Sequence, residues 1–187
     1  GLPWAWRRGV QPDMIEARLR QDAQHTIRAV CVVHNETSTG ATSDIAAVRR
    51  AIDAAGHPAL LMVDTISGLG SADYRHDEWG VDVAVAGSQK GLMMPPGMSF
   101  TAVNASAWQV SLASRNTRRY WDWRTMVEDG RQVRFCGTAP IPFFYGLEAA
   151  LDMIEEEGLE NVFARHRRLA QATRACVRAW SQGGGLE

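Results

Sequence analysis

Short apolar runs recur through the first hundred residues of the chain. They occupy residues 29–33, 59–64, 81–86 and 99–103, and the first three consist almost wholly of alanine, valine and leucine. Turn-forming or polar residues follow each run. Continuous apolar runs of this length are typical of buried strands in a mostly parallel sheet, whose two faces are both covered. The chain is therefore predicted to form several short strands in this region.

Apolar residues also recur at helical spacing between these runs. A four-residue period predicts an amphipathic helix over residues 12–24. A second helix is expected to begin at Ser43, a residue type suited to the N-cap, and to stop at Gly56. Strand and helix thus alternate along the chain.

The last third of the chain is predicted to form two helices with a break between them. Leu147, Leu151 and Ile154 recur at helical spacing and are expected to face inward. Gly158 interrupts this pattern, and a second helix is predicted to run to about Trp180. Arginines recur at helical spacing along it, which favours a solvated face.

The order of these elements indicates the architecture. Strands alternate with helices, without a hairpin dipeptide to suggest antiparallel pairs. This alternation favours a three-layer α/β/α fold around a mostly parallel sheet. A chain of 187 residues is long enough for one such domain with a sizeable core.

Composition and charge narrow the classes of partner. The chain is 45% apolar, and its formal net charge is −1. A nearly neutral chain has no bulk attraction for nucleic acid or acidic membranes, and no apolar run approaches the length of a membrane span. Basic and aromatic residues do interleave at 115–123, a pattern that can bind single-stranded nucleic acid. Packing at a subunit contact is the preferred interpretation of this stretch.

The cysteines and acidic side chains favour neither disulfides nor a metal site. Cys31, Cys136 and Cys176 are odd in number and widely spaced, which argues against a disulfide framework or a zinc site. This usage favours a reducing compartment, so we expect a cytoplasmic protein. A polar cluster at residues 73–78 has no ligand spacing that we can assign to a metal, and a surface loop explains it.

A lysine follows the third apolar run directly. Lys90 lies in a turn of glycine, serine and proline, which constrains the backbone and allows close approach of a ligand. A lysine held in a mostly apolar pocket becomes a usable amine nucleophile. A solvated loop lysine is the alternative, because lysines are mostly exposed.

An aspartate at the end of the second run favours the interpretation of Lys90 as a nucleophile. Asp64 and Lys90 follow neighbouring predicted strands, so both can face the crevice at the carboxyl edge of the sheet, where α/β proteins bind ligands. A Schiff-base lysine with an aspartate on the pyridinium nitrogen is the signature of pyridoxal phosphate enzymes. A turn or helix-cap role is the alternative for Asp64 taken alone.

Three motifs in this order resemble the class V aminotransferases, most closely the serine–glyoxylate and alanine–glyoxylate aminotransferases. They are His-Asn-Glu-Thr-Ser-Thr-Gly at 34–40, Met-Val-Asp-Thr-Ile-Ser at 62–67 and Gly-Ser-Gln-Lys-Gly at 87–91. The resemblance covers roughly residues 4–180. It implies a fold-type I pyridoxal phosphate enzyme that transfers an amino group from serine or alanine to glyoxylate through a Lys90 Schiff base.

The resemblance also implies roles for further residues. In the family, Thr37 matches a hydroxyl residue that contacts the cofactor ring oxygen, Ile66 an aliphatic residue under the ring, and Gln89 a phosphate contact. Thr138 matches a threonine that reaches the phosphate of the neighbouring subunit, which implies a homodimer with a shared active site. His34 and Glu36 are interpreted as scaffold. The substrates implied are an amino acid and a 2-oxo acid.

The domain organisation is likewise an expectation from the family. Residues 1–160 would form part of the large cofactor-binding domain, and residues 161–187 a linking helix into a truncated small domain. The first residue is Gly1, and family members have roughly twice this length, so we expect an internal piece. The glycine-rich phosphate cradle and the arginine that binds the substrate carboxylate would then lie outside it.

Other activities remain open at this point. A class V cysteine desulfurase or lyase is the nearest alternative, because the cysteines present do not decide the matter. A nucleotide-binding phosphotransferase would need a Gly-x-x-x-x-Gly-Lys-Ser/Thr motif, which the chain lacks. A catalytically incomplete fragment is the third alternative.

Overall fold

Four strands form the central sheet of the computed structural model, which describes residues 8–132 and 134–182. They are β1 (Ala29–Val33), β2 (Leu60–Asp64), β3 (Val83–Gly87) and β4 (Ser99–Val103), in that order across the sheet. β1, β2 and β3 are parallel, whereas β4 runs antiparallel to β3. The prediction of an α/β fold with a mostly parallel sheet is confirmed.

Helices flank these strands in the described part of the chain. They are α1 (Pro12–Arg20), α2 (Ile45–Ala54), α3 (Ala105–Ala113), α4 (Ile141–Glu157) and α5 (Leu159–Gln182). α1 is shorter than the predicted 12–24, because the Asp22 carboxylate accepts hydrogen bonds from the Ile27 N–H at 2.6 Å and the Thr26 hydroxyl at 2.8 Å. These bonds fix a turn that competes with another helical turn.

The start of α2 differs from the prediction by one residue. Asp44, not Ser43, is the N-cap, and its carboxylate accepts a hydrogen bond from the Ala47 N–H at 2.8 Å. Ser43 is buried instead, and its hydroxyl accepts a bond from the Val10 N–H at 3.2 Å. The predicted stop at Gly56 is confirmed, since this glycine adopts a φ of 61° just after the helix.

The hydrophobic core lies between the sheet and the first two helices. It is formed by the buried residues Ile15, Leu19, Val32, Ile45, Val48, Ile52, Ala59, Leu61, Val63, Val81 and Ala84. On the opposite face of the sheet, Cys31, Val33 and Val85 are exposed. Within the described residues, α1 and α2 therefore cover one face of the sheet.

Three features after β4 were not predicted: helix α3, a 3₁₀ turn at Trp123–Thr125 and a small hairpin. Helix α3 begins at Asn104, whose side chain accepts a hydrogen bond from the Ala107 N–H at 2.9 Å. A small hairpin pairs β5 (Val127–Glu128) with β6 (Arg131–Gln132). Its turn is Asp129-Gly130, with φ of 50° and 74°, so the statement that the chain lacks a hairpin dipeptide was wrong. The paired strands are two residues long, too short to give a hydrophobic pattern.

α4 and α5 confirm the predicted break at Gly158, which has a φ of 82°. Leu147 and Ile154 are half-buried as expected, but Leu151 is 45% exposed, so its inward orientation was wrong. No described residue packs closely enough over Leu151 to bury it. In α5, only the first two turns contribute buried side chains, and residues 171–182 are all exposed.

The domain boundary at 160/161 falls inside the first turn of α5 and stays a prediction. Residues 1–7 and 183–187, the outer ends of the two predicted domains, lie outside the described residues. No helix in the described ranges combines the length and apolarity that crossing a membrane requires.

A buried carboxylate links three elements around the start of β3. Asp82, which is 7% exposed, accepts hydrogen bonds from the Leu61 N–H at 2.7 Å and from the Asn104 side-chain amide at 2.8 Å. The Arg49 guanidinium of α2 lies 3.6 Å from the same carboxylate. Asp82 thus joins β2, α2 and the start of α3.

Asp82→Ala is expected to lower the free energy of unfolding by about 2–4 kcal/mol, because it leaves buried donors without an acceptor. Denaturant unfolding at constant pH measures this change. Asp53→Ala is the matched control, since Asp53 also pairs with Arg49 but its side chain is 65% exposed. The control should change the free energy by about 0.5 kcal/mol or less. Equal effects of the two substitutions would contradict the role given to Asp82.

Candidate functional site

The loops that follow β1, β2 and β3 meet at one edge of the sheet. The three strands are parallel, so their carboxyl ends point the same way. The His34 N–H donates to the Asp64 carbonyl, and the Thr65 N–H donates to the Val85 carbonyl, each at 2.9 Å. These bonds hold the three strand ends in register, at the place where open α/β sheets bind ligands.

Five of the six site residues predicted from the sequence lie at this edge. Thr37 is in the loop after β1, Asp64 ends β2 and leads to Ile66, and Gln89 and Lys90 follow β3. The topology therefore brings together residues that are up to 53 positions apart in the sequence.

Lys90 is the only lysine of the chain, and its side chain is exposed. Its backbone is constrained as predicted, because its carbonyl accepts a hydrogen bond from the Met93 N–H at 2.9 Å. The expected enclosure in a mostly apolar pocket is only partial. The exposed lysine borders a cavity whose other lining residues belong to its own loop, to the loop after β2 and to helices α4 and α5: Gly70, Gly91, Met93, Met153, Ile154, Glu157, Val162, Arg165 and His166. Among the described residues, its amine has neither a hydrogen bond nor an ion pair, so it is available to a ligand.

Asp64 combines a turn role with a free carboxylate oxygen. Its Oδ1 accepts a hydrogen bond from the Ile66 N–H at 2.9 Å, which fixes the turn after β2. Within the described residues, no donor contacts Oδ2, and the side chain is half-buried. The turn interpretation and the cofactor interpretation of Asp64 are therefore compatible, because they use different oxygens.

The loop that carries Thr37 is organised by Glu36. The Glu36 carboxylate accepts hydrogen bonds from the Ser38 N–H at 2.9 Å and from the Ser38 hydroxyl at 2.7 Å. The backbone bond holds the pKa of Glu36 below its ordinary value, with the hydroxyl bond adding to the effect. Gly40 closes the loop through its N–H to the Glu36 carbonyl at 2.8 Å. Thr37 is exposed at the tip of this turn.

A hydrogen-bonded link joins this loop to the one after β2. The Ser67 hydroxyl donates to the Asn35 carbonyl, and the Asn35 amide lies 3.3 Å from the same hydroxyl. The Asn35 amide oxygen also accepts a bond from the Thr42 hydroxyl at 2.8 Å. This link fixes the distance between the loops that carry Thr37 and Asp64, and the sequence analysis missed it.

His34 forms part of the wall behind this edge. It is 3% exposed, and its ring lies 5.6 Å from that of Tyr74 and 6.1 Å from that of Trp79. Burial lowers the pKa of His34, although Asp73 opposes the effect. Burial likewise raises the pKa of Tyr74 to about 12, with Asp77 adding to it. Both groups are thus uncharged at neutral pH, which agrees with the scaffold interpretation of His34.

Most side chains of the polar cluster at residues 73–78 are engaged in ion pairs and a hydrogen bond rather than free to bind a metal ion. Arg75 forms ion pairs with Asp73 at 2.9 Å, Glu78 at 3.6 Å and Glu160 of α5 at 3.0 Å. The His76 Nδ1 lies 3.0 Å from the Tyr74 hydroxyl. In the ranges described by the structure, no group of three or more potential ligands is arranged to hold a metal ion.

Thr138, the sixth predicted residue, is separate from this edge in the described contacts. It lies in the exposed bend before α4, and its hydroxyl forms no hydrogen bond with a described residue. The cofactor role given to Thr138 by the family is a contact across a subunit boundary, and that role stays a prediction.

Gly91 fixes the loop of Lys90 against the loop after β2. A Cβ atom at Gly91 would overlap the Leu69 carbonyl oxygen and lie 2.8 Å from the Gly70 carbonyl carbon. Both obstacles are backbone atoms, so no side-chain rotation can relieve the overlap. Only glycine permits this approach, which sets the position of the residue next to Lys90.

Gly91→Ala is expected to destabilise the fold by about 1–3 kcal/mol and to move the Lys90 loop, because the backbone must separate to admit a methyl group. Denaturant unfolding measures the first effect, and the affinity for pyridoxal phosphate the second. Gly137→Ala is the matched control, since nothing lies within 4 Å of a Cβ built there. A Gly91→Ala protein with the stability of this control would contradict the packing described.

The groups at this edge suit pyridoxal phosphate. The cofactor requires an amine for its aldehyde, an anion for its pyridine nitrogen and polar groups for its ring oxygen and phosphate. Lys90 offers a free amine, Asp64 a free carboxylate oxygen, and Thr37 and Gln89 exposed polar side chains. The donor set therefore fits the cofactor predicted from the sequence.

Comparison with known proteins gives the family that the three sequence motifs resemble. The family model described as "Aminotransferase class-V" matches residues 9–182. The chain is 51% identical over 180 residues to the serine–glyoxylate aminotransferase of Methylorubrum extorquens, covering 94% of this chain and 45% of that protein. It is 50% identical over 175 residues to the L-aspartate–glyoxylate aminotransferase of Paracoccus denitrificans, covering 94% and 44%.

Solved structures share the fold. The crystal structure of an alanine–glyoxylate aminotransferase from Nostoc sp. is 30% identical to the chain, with a TM-score of 0.78, over 91% of this chain and 44% of that protein. The chain spans a little under half the length of the curated relatives it matches.

Proposed function

Because the chain belongs to the class V aminotransferases, we propose that its gene product transfers an amino group from serine or alanine to glyoxylate. The observation that carries this proposal is the 51% identity to a serine–glyoxylate aminotransferase, over a segment whose parallel strand ends gather Thr37, Asp64 and Lys90. Transfer from serine converts glyoxylate to glycine and leaves hydroxypyruvate.

The proposed cofactor is pyridoxal phosphate, which supplies an aldehyde for amine exchange and a pyridinium ring that accepts electrons. The Lys90 amine would bind the aldehyde carbon and, once displaced by the donor amine, carry a proton to and from the substrate Cα. The free Oδ2 of Asp64 would accept a hydrogen bond from the protonated pyridine nitrogen. An anion in that position favours the charged form of the ring.

Three further residues would orient the cofactor. The Thr37 hydroxyl would contact the ring oxygen, Ile66 would pack under the ring, and the Gln89 amide would bind the phosphate. The Asn35–Ser67 link supports this arrangement, because it couples the loop of Thr37 to that of Asp64 and Ile66.

The protein is proposed to act as a homodimer in which Thr138 reaches the phosphate in the partner's site. Large exposed aromatic residues in the segments before and after Thr138 support a buried contact in the assembly: Trp121 is 75% exposed and Tyr145 is 70% exposed. The Cys136 thiol lies 3.0 Å from the Tyr120 carbonyl, so these segments form one surface. Analytical ultracentrifugation of the full-length gene product tests the dimer, and a monomer at micromolar concentration would contradict it.

The expected location is the cytoplasm, on the basis of cysteine usage. Cys31, Cys136 and Cys176 are all free and exposed. Exposed thiols persist in reducing compartments, which supports this proposal.

The activity is tested with the full-length gene product, pyridoxal phosphate and glyoxylate. Serine, alanine and aspartate are offered in turn, and glycine formation is measured. We expect kcat/KM to be highest with serine. Absence of glycine with both serine and alanine, in a protein that binds the cofactor, would refute the proposal, and glycine formed with aspartate alone would move the assignment to that donor.

Cysteine without glyoxylate tests the nearest alternative. With dithiothreitol present as the reductant, a desulfurase would form alanine and release the sulfur as sulfide, whereas a transaminase would produce neither. Sulfide release would transfer the assignment to that branch of the family.

A further inference from the structure

Ser88, two positions before Lys90, is the most enclosed polar residue of the lysine loop. It is 0% exposed at the end of β3. Its N–H donates to the Met98 carbonyl at 3.0 Å, and its carbonyl accepts from the Met94 N–H at 3.1 Å. Its hydroxyl donates to the Pro95 carbonyl at 2.7 Å and accepts from the Met98 N–H at 3.2 Å. One residue thus makes four hydrogen bonds to the far side of the loop.

These bonds close residues 88–98 into a ring that contains Lys90. Inside the ring, the bond from the Met93 N–H to the Lys90 carbonyl forms a tight turn, and Met93 adopts a left-handed φ of 57°. Such a conformation is unfavourable for a residue with a side chain and persists only where surrounding contacts impose it. The Ser88 bonds supply that constraint.

The Ser88 hydroxyl has no proton left to donate to a ligand. It is buried, it uses its only proton on Pro95, and it accepts a bond from Met98. Donation to a cofactor phosphate would require the bond to the Pro95 carbonyl to break. The hydroxyl therefore acts on the loop and not on a bound molecule.

We propose that Ser88 is a positioning residue, whose buried hydroxyl holds the ring of residues 88–98 in the shape that presents the Lys90 amine to its electrophile. The inference rests on the proposed function. Without the hydroxyl, the Pro95 carbonyl and the Met98 N–H lose their side-chain partner inside the protein, which favours another loop conformation. The amine would remain present but would occupy its reactive position for less of the time.

The test compares two ligands in the Ser88→Ala full-length protein. The first is pyridoxal phosphate, which reacts with the Lys90 amine, and the second is 4′-deoxypyridoxine phosphate, which lacks the aldehyde and binds without reacting. We expect the rate constant of bond formation to fall about tenfold or more, since small misplacements of reacting groups have effects of this size. The dissociation constant of the unreactive analogue should change less than about twofold.

Matched variants separate positioning from general damage. Ser99→Ala removes an exposed hydroxyl just beyond the ring and should leave both measurements unchanged. Ser88→Thr keeps the hydroxyl and should react faster than Ser88→Ala. If the alanine variant does not fold, Ser88→Cys is measured in its place, because a thiol of similar size is a weak hydrogen-bonding group.

An unchanged rate constant in Ser88→Ala would overturn the inference. Equal losses for both ligands would also overturn it, because they would show that the whole site had changed. A wild-type protein that binds the analogue but does not react with pyridoxal phosphate would refute the role of Lys90 and, with it, the proposed function.

Discussion

Lys90→Ala is expected to abolish both the visible absorbance band of the protein with pyridoxal phosphate and its transfer of amino groups. Lys90 is the only lysine of the chain, and its amine has no competing partner among the described residues. The substitution removes the nucleophile and the group that moves the substrate proton. A positioned proton-transfer group alone contributes up to about 10⁴-fold, so kcat should fall by at least about that factor.

The measurement combines absorbance, borohydride reduction and peptide mapping of the full-length protein. In wild type, the reduced label should be found on the peptide that contains Lys90. Lys90→Arg is the matched control, because it keeps the positive charge and much of the length but cannot form the bond. It should lose the band while its affinity for the unreactive analogue stays close to that of wild type. A band of normal intensity in Lys90→Ala would refute the assignment of Lys90 as the residue that bonds the cofactor.

Asp64→Asn is expected to lower kcat by about 10²–10³-fold, the range seen when one electrostatic contact to a reacting group is lost. An asparagine oxygen can still accept the Ile66 N–H bond that Oδ1 accepts at 2.9 Å, so the turn after β2 should persist. The amide that replaces Oδ2 is a donor, and it favours the unprotonated pyridine nitrogen. The ring then loses its capacity to accept electrons.

Two variants separate the effect on kcat of the Asp64 charge from the effect of the turn that Asp64 fixes. Asp64→Ala removes both and should be no more active than Asp64→Asn, with weaker cofactor binding in addition. Asp73→Asn removes a carboxylate of the neighbouring loop that pairs with Arg75, and it should leave kcat within a few-fold of wild type. Steady-state kinetics with serine and glyoxylate provide the comparison. Wild-type kcat in Asp64→Asn would show that the pyridine nitrogen has another partner.

The fold and the position of Asp64 and Lys90 at one edge of the sheet could be predicted because they depend on strong local signals. The runs at 29–33 and 99–103 match β1 and β4 in both bounds, since apolar strands stand out from polar turns. Parallel pairing of β1, β2 and β3 then places their carboxyl ends at one edge, which is why Asp64 and Lys90 could be grouped without coordinates.

The parts that could not be predicted depend on contacts between distant segments. Nothing adjacent to Ser88 indicates that its hydroxyl would bond Pro95, and the Asn35–Ser67 link joins two loops of unrelated composition. Leu151 was wrongly predicted to face inward. Its helical spacing is regular, but spacing alone does not show whether another residue packs over it. The Asp129-Gly130 turn does carry a local signal, but its flanking strands are too short to show an alternating pattern.

The two hydrogen-bonded links that shape the site should form at different stages of folding. The bond between Ser88 and Met98 spans 10 residues, whereas the link between Asn35 and Ser67 spans 32. Closing a short loop costs less chain entropy and occurs sooner. We therefore expect the turn around Lys90 to form early, and the spacing between Thr37 and Asp64 to be fixed only when β1 pairs with β2. Hydrogen exchange of the Met98 amide during refolding, compared with the His34 amide, would reveal this order.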